Sequence, residues 1–329
     1  MGKAFEGFGS RASLSQNANV VRTIVTSGQK GAPIAQLATK NCVDKFLGTY
    51  DTFLFDCDGV LWDNDHVTPF PGVEDALKKL QSLNKLVLFV TNNSMVSRQQ
   101  LLRKLQHHGI NTEIDNIFCN AYASGMYLKN TLRADGKVYL VGSKGMKEEM
   151  DILDIETFGF GPDPDAPSYN TNDLLEMTFE DNVSAVLVGL DEHFNYNKIY
   201  KAASYLQNPE CHFVATNLVE KGFNIAANRR MPITGALVKA IADVAQREPI
   251  VVGKPHNIMF DLIQQQYPDC DKSRAVFVGD NLKADMAFAK SVGIDSALVL
   301  TGASGIGSIQ DFPHLSPEWV LESVKDILL

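Results

Sequence analysis

Four short apolar runs in this chain each end in polar side chains, and this pattern constrains the fold more than any other feature. The first run, residues 53–55, ends in Asp56 and Asp58, and Gly59 then permits a sharp turn. Such a run predicts a strand buried on both faces, as in a parallel sheet. Side chains two residues apart on an extended strand point to the same side, so both carboxylates can face one point beyond the strand.

Three later runs, at residues 86–90, 251–252 and 275–278, repeat the pattern. The polar residues that follow them are Thr91, Asn92 and Asn93, then Lys254, and then Asp280, Asn281 and Asp285. The carboxyl ends of the strands of an open parallel sheet line one crevice, where ligands bind. We therefore expect these side chains to converge on the two aspartates.

The converging carboxylates predict a metal site. Two carboxylates at one point repel unless a cation or a shared proton lies between them, and oxygen ligands suit a hard divalent ion, most simply Mg²⁺. The alternative is an acidic turn after a strand, because Asp-X-Asp-Gly is common in turns. Considered without the other motifs, Lys254 would be interpreted as a solvated lysine in a loop. Independent turns would rarely supply all four groups at strand ends, which favours the site.

The four motifs resemble, in order, those of the haloacid dehalogenase superfamily of phosphohydrolases. They are Phe-Asp-Cys-Asp-Gly-Val-Leu-Trp, Thr-Asn-Asn-Ser, Val-Gly-Lys-Pro and Val-Gly-Asp-Asn-Leu-Lys-Ala-Asp. The resemblance covers nearly all of residues 42–329. Within the superfamily, the motifs resemble one branch in particular, which contains the phosphoglycolate, pyridoxal phosphate and 4-nitrophenyl phosphate phosphatases. Members of this branch carry a large α/β cap between the second and third motifs. Ala284 departs from this branch, which usually has Thr there.

The resemblance, with the alternation of strands and helices, implies an α/β fold: a Rossmann-like parallel-sheet core with an inserted α/β cap domain. We place a flexible N-terminal arm at residues 1–40, the core at 41–133 and 248–329, and the cap at 134–247. Residues 250–252 are predicted to return the chain to the core. Ser316 and Pro317 predict a last helix over residues 318–329.

The resemblance also implies a role for each site residue. Asp56 would attack phosphorus and Asp58 would act as acid and then as base. Mg²⁺ would bind the Asp56 side chain, the Asp58 backbone carbonyl and Asp280. Asp285 and Asn281 would lie behind the metal ligands. The substrate would be bound by Thr91, Asn92 and Asn93. Lys254 would contact the nucleophile and the phosphoryl group. In the cap, we expect His193 to contact substrate; the alternative is a surface histidine.

Composition limits the partners. The 329 residues are 45% hydrophobic and 21% charged, with a net charge of −9, typical of a soluble globular protein of about two domains. The charge argues against nucleic acid, and no apolar run reaches membrane length. Five cysteines without paired spacing predict reduced thiols and a cytoplasmic location. Cys57 is either a small side chain facing away from the site or a redox-sensitive thiol.

These observations predict a Mg²⁺-dependent phosphate monoester hydrolase that acts on a small phosphorylated metabolite through an aspartyl-phosphate. On resemblance, phosphoglycolate is the first candidate substrate and pyridoxal phosphate the second. A homodimer through the cap is a further expectation from the branch. The rival class is a non-enzymatic phospho-acceptor or scaffold on the same fold. Asp58 argues against a dehalogenase, which lacks this second acid, and against a transport ATPase, which has lysine there.

Overall fold

The computed structural model describes residues 35–36, 39–63, 67–166, 168–218 and 222–329. Most of the predicted arm, residues 1–34 and 37–38, therefore lies outside the described residues. The strands in chain order are β1 (Ala35–Gln36), β2 (Thr52–Phe55), β3 (Leu86–Thr91), β4 (Ile117–Cys119), β5 (Lys137–Val141), β6 (Thr157–Phe158), β7 (Val183–Val188), β8 (His212–Ala215), β9 (Gly222–Ala226), β10 (Arg229–Pro232), β11 (Ile250–Val251), β12 (Ala275–Gly279), β13 (Asp295–Val299) and β14 (Trp319–Leu321).

The helices connect these strands on both sides of the sheets. In chain order they are α1 (Lys40–Thr49), α2 (Val73–Ser82), α3 (Arg98–His107), α4 (Asn120–Met126), α5 (Lys144–Ile152), α6 (Thr171–Glu176), α7 (Tyr196–Tyr205), α8 (Thr234–Ala245), α9 (Ile258–Gln266), α10 (Ala287–Val292) and α11 (Ile306–Asp311). Single π-helical turns span Tyr127–Leu132 and Leu282–Met286, and 3₁₀ turns span Ile114–Asn116, Lys272–Arg274, Pro313–Leu315 and Val324–Leu328. Within the described ranges, no helix is long and apolar enough to cross a membrane.

The larger sheet has seven parallel strands in the order β1-β14-β13-β12-β2-β3-β4. Every residue of the neighbouring strands β2 and β12 is buried. Burial on both faces is what their uninterrupted apolar sequences predict, because helices cover each face of a parallel sheet. The parallel order confirms the predicted Rossmann-like core.

The smaller sheet has five parallel strands in the order β11-β8-β7-β5-β6, and β9 and β10 form a separate antiparallel hairpin. The position of β11 corrects one expectation. Ile250 and Val251 pair with Val214 and Ala215, so this strand belongs to the smaller sheet and does not begin the return to the larger one. The domain boundaries at residues 134 and 247 stay a prediction.

The two chain ends also differ from the predictions. Residues 318–329 were predicted to form a helix, and this was wrong: Trp319–Leu321 forms β14, and only Val324–Leu328 turns, as a 3₁₀ segment. All three residues of β14 are buried beside β13, whereas a surface helix would expose one face. At the other end, β1 pairs in parallel with β14, although it lies within the predicted arm.

The smaller sheet is fixed to the larger one where α5 meets the segment that follows β3. Ser143 caps α5 by accepting the backbone N–H of Met146, and its hydroxyl donates to the carbonyl of Ser94 over 2.6 Å. Close packing here needs Gly145, because a Cβ at that position would lie 2.5–2.6 Å from backbone atoms of Met95 and Val96. We call this contact, residues 94–98 against 143–149, the α5 joint.

Candidate active site

The predicted residues meet at the carboxyl ends of β2, β3 and β12. There they line a cavity of about 480 Å³. The lining from the larger sheet includes Asp56, Asp58, Thr91, Asn92, Asn93, Asp280 and Asn281, and Lys254 joins them from the segment after β11. Parallel strand ends therefore bring four separate parts of the chain to one point, as expected for an open α/β sheet.

Lys254 is the buried cation of this site. Its Nζ lies 3.0 Å from Oδ1 of Asp56 and 2.8 Å from Oδ1 of Asp285, and it donates to the carbonyl of Val90 over 2.9 Å. Burial alone would lower the pKa of Lys254. The carboxylates of Asp285 and Asp56 raise it by more, so that the pKa of Lys254 lies above its usual value. The side chain is therefore charged at neutral pH, and the alternative of a solvated loop lysine was wrong.

Three carboxylates can hold a cation. Oxygens of Asp56, Asp280 and Asp285 all lie within 4.8 Å of one another. Burial, and then neighbouring carboxylates, raise the pKa of Asp56 well above its usual value and the pKa of Asp280 to about 7, although Lys254 opposes both shifts. A buried group of acids that resists ionisation fits a divalent cation, which supplies the missing positive charge.

Asp285 and Asn281 hold the segment after β12 in place. Oδ2 of Asp285 accepts the backbone N–H groups of Asp280 and Asn281. The Asn281 side chain accepts the N–H groups of Lys283 and Ala284 and so caps the following turn. Asp285 contacts Lys254, and one of its carboxylate oxygens also belongs to the acidic cluster with Asp56 and Asp280.

Asn92 lines the cavity and also holds the backbone of Lys254. Its side-chain oxygen accepts the backbone N–H of Lys254 over 2.9 Å, and its amide donates to the carbonyl of Lys254 over 3.0 Å. Contact of Asn92 with the phosphoryl group stays a prediction. Asn120 and Asn217 both donate to the backbone carbonyl of Asn92, which fixes this residue from two more sides.

Asp58 accepts hydrogen bonds from the side chains of Trp62 and Asn93. The indole Nε1 of Trp62 donates to its Oδ1 over 2.6 Å, and the amide of Asn93 donates to its Oδ2 over 3.2 Å. The hydroxyl of Thr91 accepts the backbone N–H of Asn93 over 3.0 Å. Thr91 and Asn93 therefore line the cavity as expected, and contact of either with substrate stays a prediction. Trp62 was quoted in a motif but given no role.

Cys57 belongs to the buried hydrophobic core and is not among the residues that line the cavity. The thiol is buried, and burial first, followed by Asp56 and Asp58, raises its pKa well above the usual value. A thiol that stays protonated is a poor nucleophile and oxidises slowly. This favours the interpretation of Cys57 as a small buried side chain.

His193 is not among the residues that line the cavity. Its side chain is 40% exposed and its Nε2 lies 3.6 Å from Oε1 of Glu192. The structure thus does not bring His193 to the site, because the loop turns to bury Asp191 in an ion pair with Lys198. The smaller sheet and the segments next to it also contribute to the lining of the cavity, with Leu190, Asn217, Met231, Ile233 and Thr234. Asn217 follows β8, so the pattern of polar residues after a strand could have found it.

Comparison with known proteins identifies the family. Residues 53–156 match the model of haloacid dehalogenase-like hydrolases, and residues 251–327 match a second HAD-hydrolase-like model. The chain is 37% identical over 290 residues to the 4-nitrophenylphosphatase of Schizosaccharomyces pombe, which covers 86% of this chain and 95% of that protein. It is 36% identical over 298 residues to phosphoglycolate phosphatase 2 of Arabidopsis thaliana, covering 89% of this chain and 97% of that one.

A solved structure agrees with these matches. The p-nitrophenyl phosphatase from Archaeoglobus fulgidus superposes with a TM-score of 0.71 at 27% identity, over 85% of this chain and 98% of the other. The chain therefore belongs to the haloacid dehalogenase-like hydrolases. Within that family it is an enzyme of the phosphoric monoester hydrolase class.

Proposed function

We propose that this protein is a Mg²⁺-dependent phosphatase that hydrolyses a small phosphorylated metabolite, first of all phosphoglycolate, through an aspartyl-phosphate on Asp56. The observation that carries the proposal is the position of Asp56 at the cavity floor. It lies beside the buried Lys254 cation and within the carboxylate cluster, with Asp58 facing the same cavity.

In this mechanism Asp56 attacks phosphorus while Asp58 protonates the departing oxygen. Asp58, now ionised, removes a proton from the water that hydrolyses the intermediate, so one residue serves both steps. Lys254 stabilises charge on Asp56 and on the phosphoryl group. Mg²⁺ bound by Asp56, the Asp58 backbone carbonyl and Asp280 would neutralise charge on the phosphoryl oxygens. Thr91, which lines the cavity, would donate its hydroxyl hydrogen to one of those oxygens.

The cavity supports a small substrate. The part of its lining that comes from the smaller sheet and the neighbouring segments is mostly apolar, with Leu190, Met231 and Ile233, and includes the polar side chains of Asn217 and Thr234. Asn217 and Thr234 would be donors to a glycolate carboxylate. Phosphoglycolate is supported by the names of relatives such as phosphoglycolate phosphatase 2 of Arabidopsis thaliana. Pyridoxal phosphate is the second candidate, on the earlier resemblance.

The remaining expectations rest on the resemblance and composition: a homodimer through the cap, no nucleic-acid or membrane partner, and a cytoplasmic location. A phospho-acceptor without turnover is not favoured, because Asp58, the group that would release phosphate, faces the cavity and the relatives are named as phosphatases.

The nucleophile is tested by Asp56→Asn, which keeps the shape of the side chain but removes its charge. We expect 4-nitrophenyl phosphate turnover to fall by at least about a thousandfold, because the covalent step is lost. Asp75→Asn, an exposed position in α2, is the matched control and should keep full activity. Activity of Asp56→Asn near that of the wild type would rule out the aspartyl-phosphate.

Metal and substrate are tested on the wild-type enzyme. EDTA should abolish turnover, Mg²⁺ should restore it, and Ca²⁺ should inhibit, because a larger ion can bind both Asp56 oxygens. A panel of phosphoglycolate, pyridoxal phosphate and 4-nitrophenyl phosphate, compared by kcat/KM, then ranks the substrates. Full activity in EDTA would contradict the metal dependence, and a higher kcat/KM for pyridoxal phosphate would reverse the proposed order.

A further inference from the structure

Trp62 folds back onto the carboxylate of Asp58. Between them the chain makes a tight turn, in which the N–H of Gly59 donates to the carbonyl of Trp62 over 2.9 Å and the N–H of Leu61 donates to the carbonyl of Cys57 over 2.8 Å. Gly59 has φ 79°, a conformation that favours glycine. The turn places the indole, which is 1% exposed, with its Nε1 2.6 Å from Oδ1 of Asp58.

The two oxygens of Asp58 face different surroundings. Oδ1 accepts from Trp62, which is buried and does not line the cavity. Oδ2 accepts the longer 3.2 Å bond from Asn93, which does line it. Oδ2 is therefore the oxygen on the side of the substrate. An indole N–H can only donate, so the short bond holds Oδ1 as an acceptor and fixes the rotation of the carboxyl group.

A positive charge over the Trp62 ring strengthens the hydrogen bond from the indole to Asp58. Nζ of Lys104, on α3, lies 3.3 Å from the centroid of the Trp62 ring. A positive charge over an aromatic face is attracted by its π-electrons. It also draws electron density from the ring, which makes the indole N–H a better donor. α3 thus contributes to the position of Asp58 through Trp62.

We propose that Trp62 is the positioning residue of the acid–base group: it turns Asp58 so that Oδ2 exchanges the proton with the substrate. The inference rests on the proposed function. As the phosphorus–oxygen bond breaks, its electron pair stays on the leaving oxygen, and the proton on Oδ2 passes to that oxygen. When water attacks the aspartyl-phosphate, Oδ2 takes one proton back and Asp56 leaves as a carboxylate. Lys104 supports Trp62 in this role.

The leaving group separates positioning from a merely structural role. An alkoxide is a strongly basic leaving group and needs the proton from Asp58, whereas 4-nitrophenolate leaves without one. A misplaced acid therefore slows alkyl phosphates more than 4-nitrophenyl phosphate, because proton transfer contributes roughly 10²–10⁴-fold where it is needed. Loss of folded protein would lower both rates equally.

The test is Trp62→Phe, which removes the N–H and keeps an aromatic ring. The chain has one other tryptophan, Trp319, which is also buried and donates its indole N–H to Tyr50 over 2.8 Å, in the core under β14. Trp319→Phe is therefore the matched control, with the same chemical deletion away from the site. Both variants are assayed with saturating Mg²⁺ on 4-nitrophenyl phosphate and on phosphoglycolate.

We expect Trp62→Phe to lower kcat/KM on phosphoglycolate by about ten- to a hundredfold and on 4-nitrophenyl phosphate by less than about threefold. The parameter is kcat/KM because it covers the steps up to departure of the leaving group and leaves out hydrolysis of the aspartyl-phosphate, which is common to both substrates. Trp319→Phe should lower kcat/KM for both substrates by the same small factor. Equal falls in kcat/KM on the two substrates in Trp62→Phe would overturn the positioning role. A wild-type enzyme that hydrolyses neither substrate would instead contradict the proposed function.

A second variant covers the case in which Trp62→Phe does not fold. Lys104→Met keeps the indole and its hydrogen bond and removes the cation above the ring. We expect a smaller change with the same signature, about two- to fivefold on phosphoglycolate and little on 4-nitrophenyl phosphate. No difference between the substrates in this variant would overturn the inference.

Discussion

At the scale of single residues, the site combines buried carboxylates with a buried lysine. Asp56, Asp280 and Asp285 bring three carboxylates within 4.8 Å of one another, and Lys254 is the cation in contact with two of them. Burying like charges together is costly unless they are neutralised. The metal-free protein must therefore hold protons on this cluster, and a divalent cation removes the need for them.

Asp280 makes the pH dependence predictable. Burial, and then the carboxylate of Asp285, raise its pKa from 3.8 to about 7. The folded metal-free protein binds more protons than the unfolded chain between about pH 4 and pH 7. The contribution of Asp280 to stability is therefore fully present below about pH 4 and is lost as the pH rises through this window. Mg²⁺ binds the ionised form, so it should stabilise more at high pH.

The measurement is Tm in EDTA and in excess Mg²⁺, at pH 5.5 and pH 8. We expect the gain in Tm from Mg²⁺ to be larger at pH 8. Asp280→Asn, which cannot ionise, should show less fall in Tm with pH in EDTA and a smaller gain from Mg²⁺. A metal-free Tm that falls equally with pH in the wild type and in Asp280→Asn would contradict this account of the cluster.

Residues at strand ends were predictable from the sequence, and residues placed by long-range hydrogen bonds were not. Lys254 was found because it follows an apolar run, and the structure brings it to Asp56. The pairing of Asn92 with the Lys254 backbone joins positions 162 residues apart. His193 was predicted from its loop, but the direction of a loop side chain depends on tertiary contacts such as those of Asp191.

At the scale of elements, the α5 joint holds α3 and α5 together with a buried ion pair. Nε of Arg98 lies 3.2 Å from Oε2 of Glu149, whose Oε1 accepts the backbone N–H of Arg98 over 2.5 Å. The guanidinium also lies 3.4 Å above the ring of Tyr122, on α4. The Glu149 side chain is fully buried, so the loss of one partner leaves the other charge without compensation.

Glu149→Leu should therefore lower the free energy of unfolding by about 3–5 kcal/mol, the usual cost of breaking a buried pair. The double variant Arg98→Met/Glu149→Leu should recover a large part, because no buried charge remains unpaired. Lys239 and Asp243, an exposed pair on α8, are the matched control, and Asp243→Leu should cost no more than about 1 kcal/mol. Urea unfolding measures all three, and equal costs at the two positions would contradict a stabilising joint.

Strands that begin as apolar runs and end in polar motif residues were predictable, and strands without such a motif were not. The runs at residues 53–55, 86–90 and 275–278 were predicted as strands and form parts of β2, β3 and β12. β14 was mistaken for the start of a helix because three buried residues after Ser316-Pro317 carry too little periodicity to separate strand from helix. The β9–β10 hairpin was missed, although it supplies Met231 to the cavity.

At the scale of the whole molecule, the distance between the two sheets depends on how closely α5 approaches residues 95–96. A side chain at Gly145 would meet backbone atoms, which cannot move as a side chain can. Gly145→Ala should therefore displace α5 and, with it, the smaller sheet from the catalytic cavity. We expect kcat/KM for phosphoglycolate to fall by at least about tenfold, because cap-side contacts with substrate are misplaced.

The control is Gly48→Ala, a helical glycine on α1 with no atom within 4 Å of the added Cβ. It should keep full activity and be slightly more stable, because alanine favours helix over glycine by about 1 kcal/mol. Steady-state kinetics and Tm on both variants separate displacement from unfolding. Unchanged kcat/KM in a folded Gly145→Ala enzyme would show that the position of α5 does not affect catalysis.

The pairing of β11 with the smaller sheet limits how segments can be exchanged between relatives by recombination. The backbone N–H groups of Val252 and Gly253 still donate to Ala215 and Thr216, and the next N–H, that of Lys254, donates to Asn92. The chain thus changes from one sheet to the other across a single peptide bond. A crossover at residue 247 would take β8 from one parent and β11 from the other, and any mismatch in their pairing would reach Lys254 directly. A chimera that inherits residues 212–254 as one block transfers the lysine together with the strand that supports it.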